Sequence, residues 1–122
     1  MKTKKIKKIC DKWIYRLGLK WWEVQVNYVS DPQTVIEIFR ITDEDIVIAK
    51  TFADWKYMTA NIYLNIPPML SMSSDQVQRI IVHELLHVLV NEMREDGIDH
   101  EERVVTSLTK AVFWIKADIT NE

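Results

Sequence analysis

The chain has 122 residues, of which 48% are hydrophobic and 28% are charged, with a formal net charge of -2. This length and apolar content are sufficient for one domain with a buried core, so we expect a single domain over residues 1–122. The small net charge excludes a polyanion-binding field over the whole surface. The sequence also has no apolar run near the roughly 20 residues that a membrane-spanning helix needs. We therefore expect no nucleic-acid partner and no membrane partner.

The only cysteine, Cys10, cannot form an intramolecular disulfide, and no thiolate cluster is available for a metal. A zinc ion would therefore depend on histidines and carboxylates. The basic amino-terminal segment lacks the apolar stretch and the small-residue cleavage site of an export signal. We expect a cytoplasmic protein, with Cys10 as an unreactive core residue.

The first predicted element is an amphipathic helix. Apolar residues recur at three- and four-residue spacing over residues 3–17, and Gly18 follows in the position of a C-terminal cap. Lysines fill the opposite face of this helix. We interpret that face as a solvated surface, because the apolar stripe has the width expected for packing on a sheet.

A sheet of about four strands is predicted next, from alternating or β-branched segments. Two of these segments flank an acidic turn at Thr42–Asp45 and suggest a hairpin. The final segment stops at Pro67 and Pro68, which cannot continue strand pairing, so we place it at an edge. The four predicted strands are residues 22–29, 35–41, 46–52 and 59–65.

Two helices complete the prediction. Ser73 and Gln76 form a capping-box pattern at the start of a helix of about five turns, which we expect to end near Gly97. Asp99 is a candidate N-cap for a last helix. That helix has apolar residues at helical spacing: Val104, Val105, Leu108, Ala111, Val112 and Ile115. The fold class is therefore α+β: an N-terminal helix, a small, mostly antiparallel twisted sheet and two C-terminal helices.

The motif that carries chemistry is His83-Glu84-Leu85-Leu86-His87. Two histidines four residues apart on a helix project from one face about one turn apart, which suits them to bind one metal ion. Glu84 lies beside the first histidine, where its carboxylate can act as a general base on water. Two of the three histidines in the chain have this spacing, which favours a metal site over a solvated helix face.

A catalytic zinc ion usually takes three protein ligands, so a third ligand is required. The metzincin pattern would need Gly at position 90 and His at position 93, where the chain has Val90 and Met93. The candidates are His100, Glu101 and Glu102, at the start of the last helix. Helical periodicity alone favours Glu101, because it continues the apolar face of that helix.

From residue 59 to residue 115, the order of elements and the motif resemble the gluzincins, especially their very small phage, bacterial and archaeal members. This resemblance implies a zinc metallopeptidase with one zinc ion per chain, held by His83, His87 and Glu102. Glu102 fits the register of the gluzincin glutamate, although Thr106 stands where that family often has an aspartate. A resemblance to SprT-like zincins would instead make His100 the third ligand, but the flanking glycines of those proteins are missing here.

In zincins, an extended peptide substrate pairs with an edge strand above the active-site helix, and residues 59–65 are the expected strand. Tyr63 on that strand is a candidate to stabilise the oxyanion, although packing is its more common role. The alternative function is a non-catalytic binding or regulatory protein of phage or host, with a structural metal or none. A resemblance to ImmA-like proteins also suggests a regulatory peptidase that cuts a repressor-like protein.

Overall fold

A computed structural model of the protein describes residues 1–42, 45–91 and 100–121, with side chains as far as Trp114. Within these ranges the protein has five α-helices and a three-stranded mixed sheet, which confirms the α+β class. No helix in this part of the chain is long and apolar enough to cross a membrane. In chain order the elements are α1 (Thr3–Arg16), β1 (Glu23–Val29), α2 (Pro32–Phe39), β2 (Ala49–Asp54), β3 (Thr59–Asn65), α3 (Ile66–Met69), α4 (Ser74–Leu89) and α5 (Glu101–Asn121).

Helix α1 matches the sequence prediction closely. Its apolar stripe is buried in the main core, and its lysines face outward. Gly18 follows the helix with φ of 72°, a left-handed conformation that glycine adopts without steric cost. The buried residues of α1 are Ile6, Ile9, Cys10 and Trp13.

The sheet has the strand order β1-β3-β2. Strand β1 pairs with β3 in parallel, and β2 pairs with β3 antiparallel. The predictions of four strands and a mostly antiparallel sheet are therefore wrong, and so is the prediction that Thr59–Asn65 lies at an edge. The prolines after β3 end that strand, but they do not show whether both of its sides are paired.

The segment predicted as a strand over residues 35–41 is mostly helical, because helix α2 extends from Pro32 to Phe39. The Asp31 carboxylate caps this helix by accepting a hydrogen bond from the Thr34 N–H at 3.0 Å, and Pro32 occupies the first turn. Hydrogen bonds from the Thr34 N–H and hydroxyl lower the pKa of Asp31. An N-cap followed by proline favours helix initiation, and here it overrides the β-branched composition of the segment.

Strand β2 begins later than predicted, at Ala49 rather than Ile46. A single antiparallel bridge between Arg40 and Ile46 is all that forms of the predicted hairpin. Asp43 and Glu44, in the predicted acidic turn, lie outside the described residues.

Helix α4 is the centre of the fold, because α1, α5 and β2 all pack against it. Its first turn carries the predicted capping box, with hydrogen bonds in both directions between Ser73 and Gln76. The helix ends at Leu89 with Val90 as its C-cap, so the predicted end near Gly97, a residue outside the described part of the chain, is wrong. The apolar side chains that it buries in the core are Val77, Ile81, Val82, Leu85, Leu86 and Val88.

Helix α5 begins at Glu101 and buries one stripe with four-residue spacing: Val105, Thr109 and Phe113. This stripe is rotated from the predicted one, because Leu108 is 39% exposed. His100, rather than the predicted Asp99, occupies its N-cap position, because the His100 carbonyl accepts a hydrogen bond from the Val104 N–H. Asp99 and the side chain of Ile115 lie outside the described part of the chain.

Replacing Leu85 by alanine should lower the free energy of unfolding by about 2–5 kcal/mol, because a buried side chain is removed and the core collapses only partly around the space. Leu85 is 1% exposed. The matched control is Leu89→Ala on the same helix, where the side chain is 44% exposed and the loss should be under about 1 kcal/mol. Chemical denaturation measures both changes, and equal losses would contradict this packing of α4.

Candidate metal centre

The two motif histidines lie together on one face of α4, as their spacing predicts. Their ring centroids are 5.0 Å apart, and their side chains are 26% exposed for His83 and 11% exposed for His87. Each of His83, Glu84 and His87 offers a ligand atom within 4.8 Å of the other two. The motif therefore forms a potential metal-binding group.

The carboxylate of Glu102, on α5, contacts the Nε2 atom of each imidazole ring. Its Oε1 lies 2.7 Å from Nε2 of His83, and its Oε2 lies 3.0 Å from Nε2 of His87. The Glu102 side chain is 70% exposed, so this meeting point opens to solvent. Two nitrogen donors and one oxygen donor thus converge at the surface between α4 and α5.

Glu101 contacts the other ring nitrogen of His87. Its Oε2 lies 2.8 Å from Nδ1, and both side chains are 11% exposed. A carboxylate at Nδ1 of a ligating imidazole orients the ring and leaves Nε2 as the nitrogen available to a metal ion. Glu101 points toward the interior, as helical periodicity predicts, whereas the neighbouring Glu102 contacts both Nε2 atoms.

His100, the third candidate ligand, immediately precedes α5. Its carbonyl accepts a hydrogen bond from the Val104 N–H at 3.0 Å, so it occupies the N-cap position of the helix. It has φ of 78°, in the left-handed region, and its side chain is exposed. The structure does not place it among the side chains that meet at Nε2 of His83 and His87.

Glu84 is held beside the two histidines by a residue that the sequence did not indicate. The hydroxyl of Thr51 on β2 donates a hydrogen bond to Oε1 of Glu84 at 2.7 Å, and Glu84 is 8% exposed. Only one of the two carboxylate oxygens takes part in this bond. No motif or spacing connects Thr51 with Glu84, because their contact depends on how α4 packs on the sheet.

Tyr63 lies on the other face of the sheet. Thr51 faces α4, whereas Tyr63 is the cross-strand partner of Lys50, and successive residues on a strand point to opposite faces. The Tyr63 ring packs edge-on against Phe52, with 5.9 Å between centroids. The structure therefore does not bring Tyr63 to the candidate centre, and its role here is packing.

The donor set fits a small divalent cation that accepts nitrogen and oxygen ligands. With zinc–ligand bonds near 2.0–2.1 Å, the ligand atoms of a tetrahedral site lie about 3.3 Å apart. The contacts of 2.7 and 3.0 Å at Glu102 are slightly shorter, so a small outward movement of one exposed carboxylate would make room for the ion. Glu84 also lies within the group, but its bond to Thr51 and its place beside His83 suit it to act on water.

A cleft of about 570 Å³ contains this centre. Helices α4 and α5 form two of its walls, and residues 47–49 form the third. The carbonyl of Ile48 accepts a hydrogen bond from the Asn65 N–H, so it points toward β3. Alternation along a strand then directs the backbone N–H and C=O groups of Ala49 and Thr51 toward the outer edge of β2.

Cys10 takes no part in this centre. It is 2% exposed in the core, and burial raises its pKa to about 11. A thiol in this state is a poor nucleophile at neutral pH.

No protein-family model matches the sequence, and no curated protein matches it either. The interpretation of the centre therefore depends on its motif and its geometry.

Zinc should raise the melting temperature of the wild-type protein, because an ion that binds only the folded chain stabilises it by about 2.7 kcal/mol at 100 times the dissociation constant. Glu102→Ala should lose most of this shift. Glu101→Gln should keep the shift but need about 10–100 times more zinc, because an altered partner of a ligating imidazole weakens metal binding by that factor. Thermal denaturation over a zinc titration measures the shift in all three proteins, and a chelator-treated sample of each is the metal-free reference.

Equal loss in the two variants would contradict the different positions given to the two glutamates. A melting temperature that responds to neither zinc nor chelator in the wild type would contradict the metal centre itself.

Proposed function

We propose that the protein is a zinc-dependent peptidase of the zincin type, closest in its motif to the gluzincins. His83, His87 and Glu102 hold one zinc ion, and Glu84 is the general base for hydrolysis of a peptide bond. The observation that carries this proposal is the pair of contacts from one carboxylate, Glu102, to Nε2 of both histidines. These contacts place three side chains from two helices around one point, as three ligands of one ion require.

A zinc ion held by His83, His87 and Glu102 would make water more acidic and would polarise the carbonyl group that is attacked. Glu84 takes the proton from the attacking water and then donates it to the leaving amine nitrogen. Thr51 holds one oxygen of the Glu84 carboxylate, so the other oxygen is kept in one orientation for this transfer. Glu101 fixes the ring of His87 through Nδ1 and keeps Nε2 available as a ligand.

A peptide substrate fits the edge of β2 better than the predicted strand, because β3 has partners on both sides. The outward N–H and C=O groups of Ala49 and Thr51 can pair with an extended chain, which would then lie along the cleft beside Glu84. Pairing through the backbone recognises a peptide without depending on its side chains. This edge is the feature that favours peptide hydrolysis over other zinc-dependent hydrolysis.

Glu84→Gln should reduce hydrolysis by at least about 100-fold, since general-base catalysis contributes a factor of that size or more. Zinc content and melting temperature should stay near those of the wild type, because the amide preserves the shape of the side chain. The assay is mass spectrometry of casein, an unfolded test substrate, after incubation with each zinc-loaded protein.

Thr51→Val should lower kcat by about tenfold with little change in KM, because the lost hydrogen bond of about 1–1.5 kcal/mol orients the base and does not bind substrate. Thr51→Ser, which keeps the hydroxyl, should restore most of the rate.

Full activity in Glu84→Gln would contradict the proposed chemistry. A wild-type protein that binds zinc and cleaves nothing would instead favour the non-catalytic binding protein.

A further inference from the structure

The cleft that contains the candidate metal centre carries different charges along its length. One end carries His83, His87 and the carboxylates of Glu84 and Glu102. Arg79 also lines the cleft, as does Lys110. They are the two cationic side chains that the described residues contribute to its lining.

Both cations lie on the same side of the metal ligands along the cleft, because α4 and α5 run antiparallel. Glu102, near the start of α5, contacts the histidines, whereas Phe113, farther along α5, packs against Arg79 near the start of α4. Arg79 precedes His83 by one helical turn, about 6 Å along the axis, and Lys110 follows Glu102 by two turns, about 12 Å.

Two neighbours among the described residues hold Arg79 in place, and neither of them uses the N–H groups of its Nη atoms. The guanidinium carbon lies 4.7 Å from the centroid of the Phe113 ring, which is buried. The Arg79 Nε–H donates to Asp75 at 2.9 Å, a bond that does not use the N–H groups of the two Nη atoms. Asp75 is 63% exposed, so this ion pair is weak and competes little with a ligand. A stacked guanidinium is preorganised to bind a carboxylate through two parallel hydrogen bonds.

We infer that the cleft selects peptides with a carboxylate within about four residues of the bond to be cut, bound by Arg79 and Lys110. An extended peptide advances about 3.3 Å per residue, so the cationic end lies about two to four residues from the metal ligands. The carboxylate is either the carboxyl terminus of the substrate or the side chain of an aspartate or glutamate. This inference rests on the proposed peptidase function, for which it defines the substrate class.

The test is peptide binding to the full-length, zinc-loaded protein that carries Glu84→Gln, so that the peptide is not consumed. The first pair of probes is acetylated penta-alanine as the free acid and as the amide. The second pair is the amide with one internal glutamate or one internal glutamine. In each pair the two peptides differ in one carboxylate, and NMR titration gives the dissociation constant of each.

The acid should bind about tenfold more tightly than its neutral partner in at least one pair, a ratio expected for one charge-assisted contact. A preference in the first pair identifies a terminal carboxylate, and a preference in the second identifies a side chain. Replacing both cations, Arg79→Gln with Lys110→Gln, should bring the ratio close to one. Lys110→Gln alone should lower it in part, and this exposed residue can be changed without disturbing the core.

Lys4→Gln with Lys8→Gln on α1 is the matched control, because it removes the same charge from an exposed face of another helix. The control should keep the tenfold ratio. A ratio that persists in the cleft variant would show that the carboxylate binds elsewhere, for instance at the zinc ion, and would overturn the inference.

Equal binding of the two peptides within both pairs in the starting protein would also overturn the inference, and the peptidase proposal would stand. Failure of the peptidase proposal is recognised separately, by the absence of bound zinc or of casein cleavage in the wild type.

Discussion

The contact between Glu102 and the Nε2 atoms of His83 and His87 is the constraint on which the rest of the site depends. It requires α5 to lie against α4 with its first turn at the motif. The buried stripe of α5 satisfies this requirement by packing Val105 and Phe113 into the core. The first turn of a helix also stabilises carboxylates through the helix dipole, so Glu101 and Glu102 occupy a favourable position for acidic ligands.

Helix α4 packs in the core through one face and carries the motif on the other. Its apolar face forms the centre of the core, and its other face carries the histidines and Glu84 to the cleft wall. Because the core side is packed against α1 and β2, the motif is fixed on a rigid element. Thr51 extends this rigidity to Glu84, since a strand on the same sheet holds the carboxylate. The cleft thus combines side chains held on rigid elements with an opening to solvent beside Glu102.

Local patterns in the sequence predicted the parts of the structure that depend on local physics. The capping box of α4, the Gly18 cap and the facing histidines each follow from residues within one or two turns. The strand predicted for residues 35–41 is wrong because the N-cap at Asp31 and the proline after it initiate a helix despite the β-branched composition of the segment. The central place of β3 and the contact of Thr51 with Glu84 could not be predicted, because both depend on how distant segments pack.

The two glutamates at the start of α5 also show what local sequence patterns can and cannot predict. Helical periodicity predicts that Glu101 faces inward, and it does. Its inward position brings it to Nδ1 of His87 and not to the two Nε2 atoms. The more exposed Glu102 reaches both Nε2 atoms from the rim, and only the register of the resembling family indicated it. Helical spacing in this turn therefore predicts which glutamate is buried, but it does not predict which glutamate contacts the two Nε2 atoms.

The most direct test of the metal centre is anomalous X-ray diffraction at the zinc edge from crystals of the zinc-loaded protein. We expect one strong peak per chain, bonded to Nε2 of His83, Nε2 of His87 and the carboxylate of Glu102, with Glu101 still at Nδ1 of His87. A peak bonded to Glu101 or His100 in place of Glu102, or the absence of a peak between α4 and α5, would contradict this account.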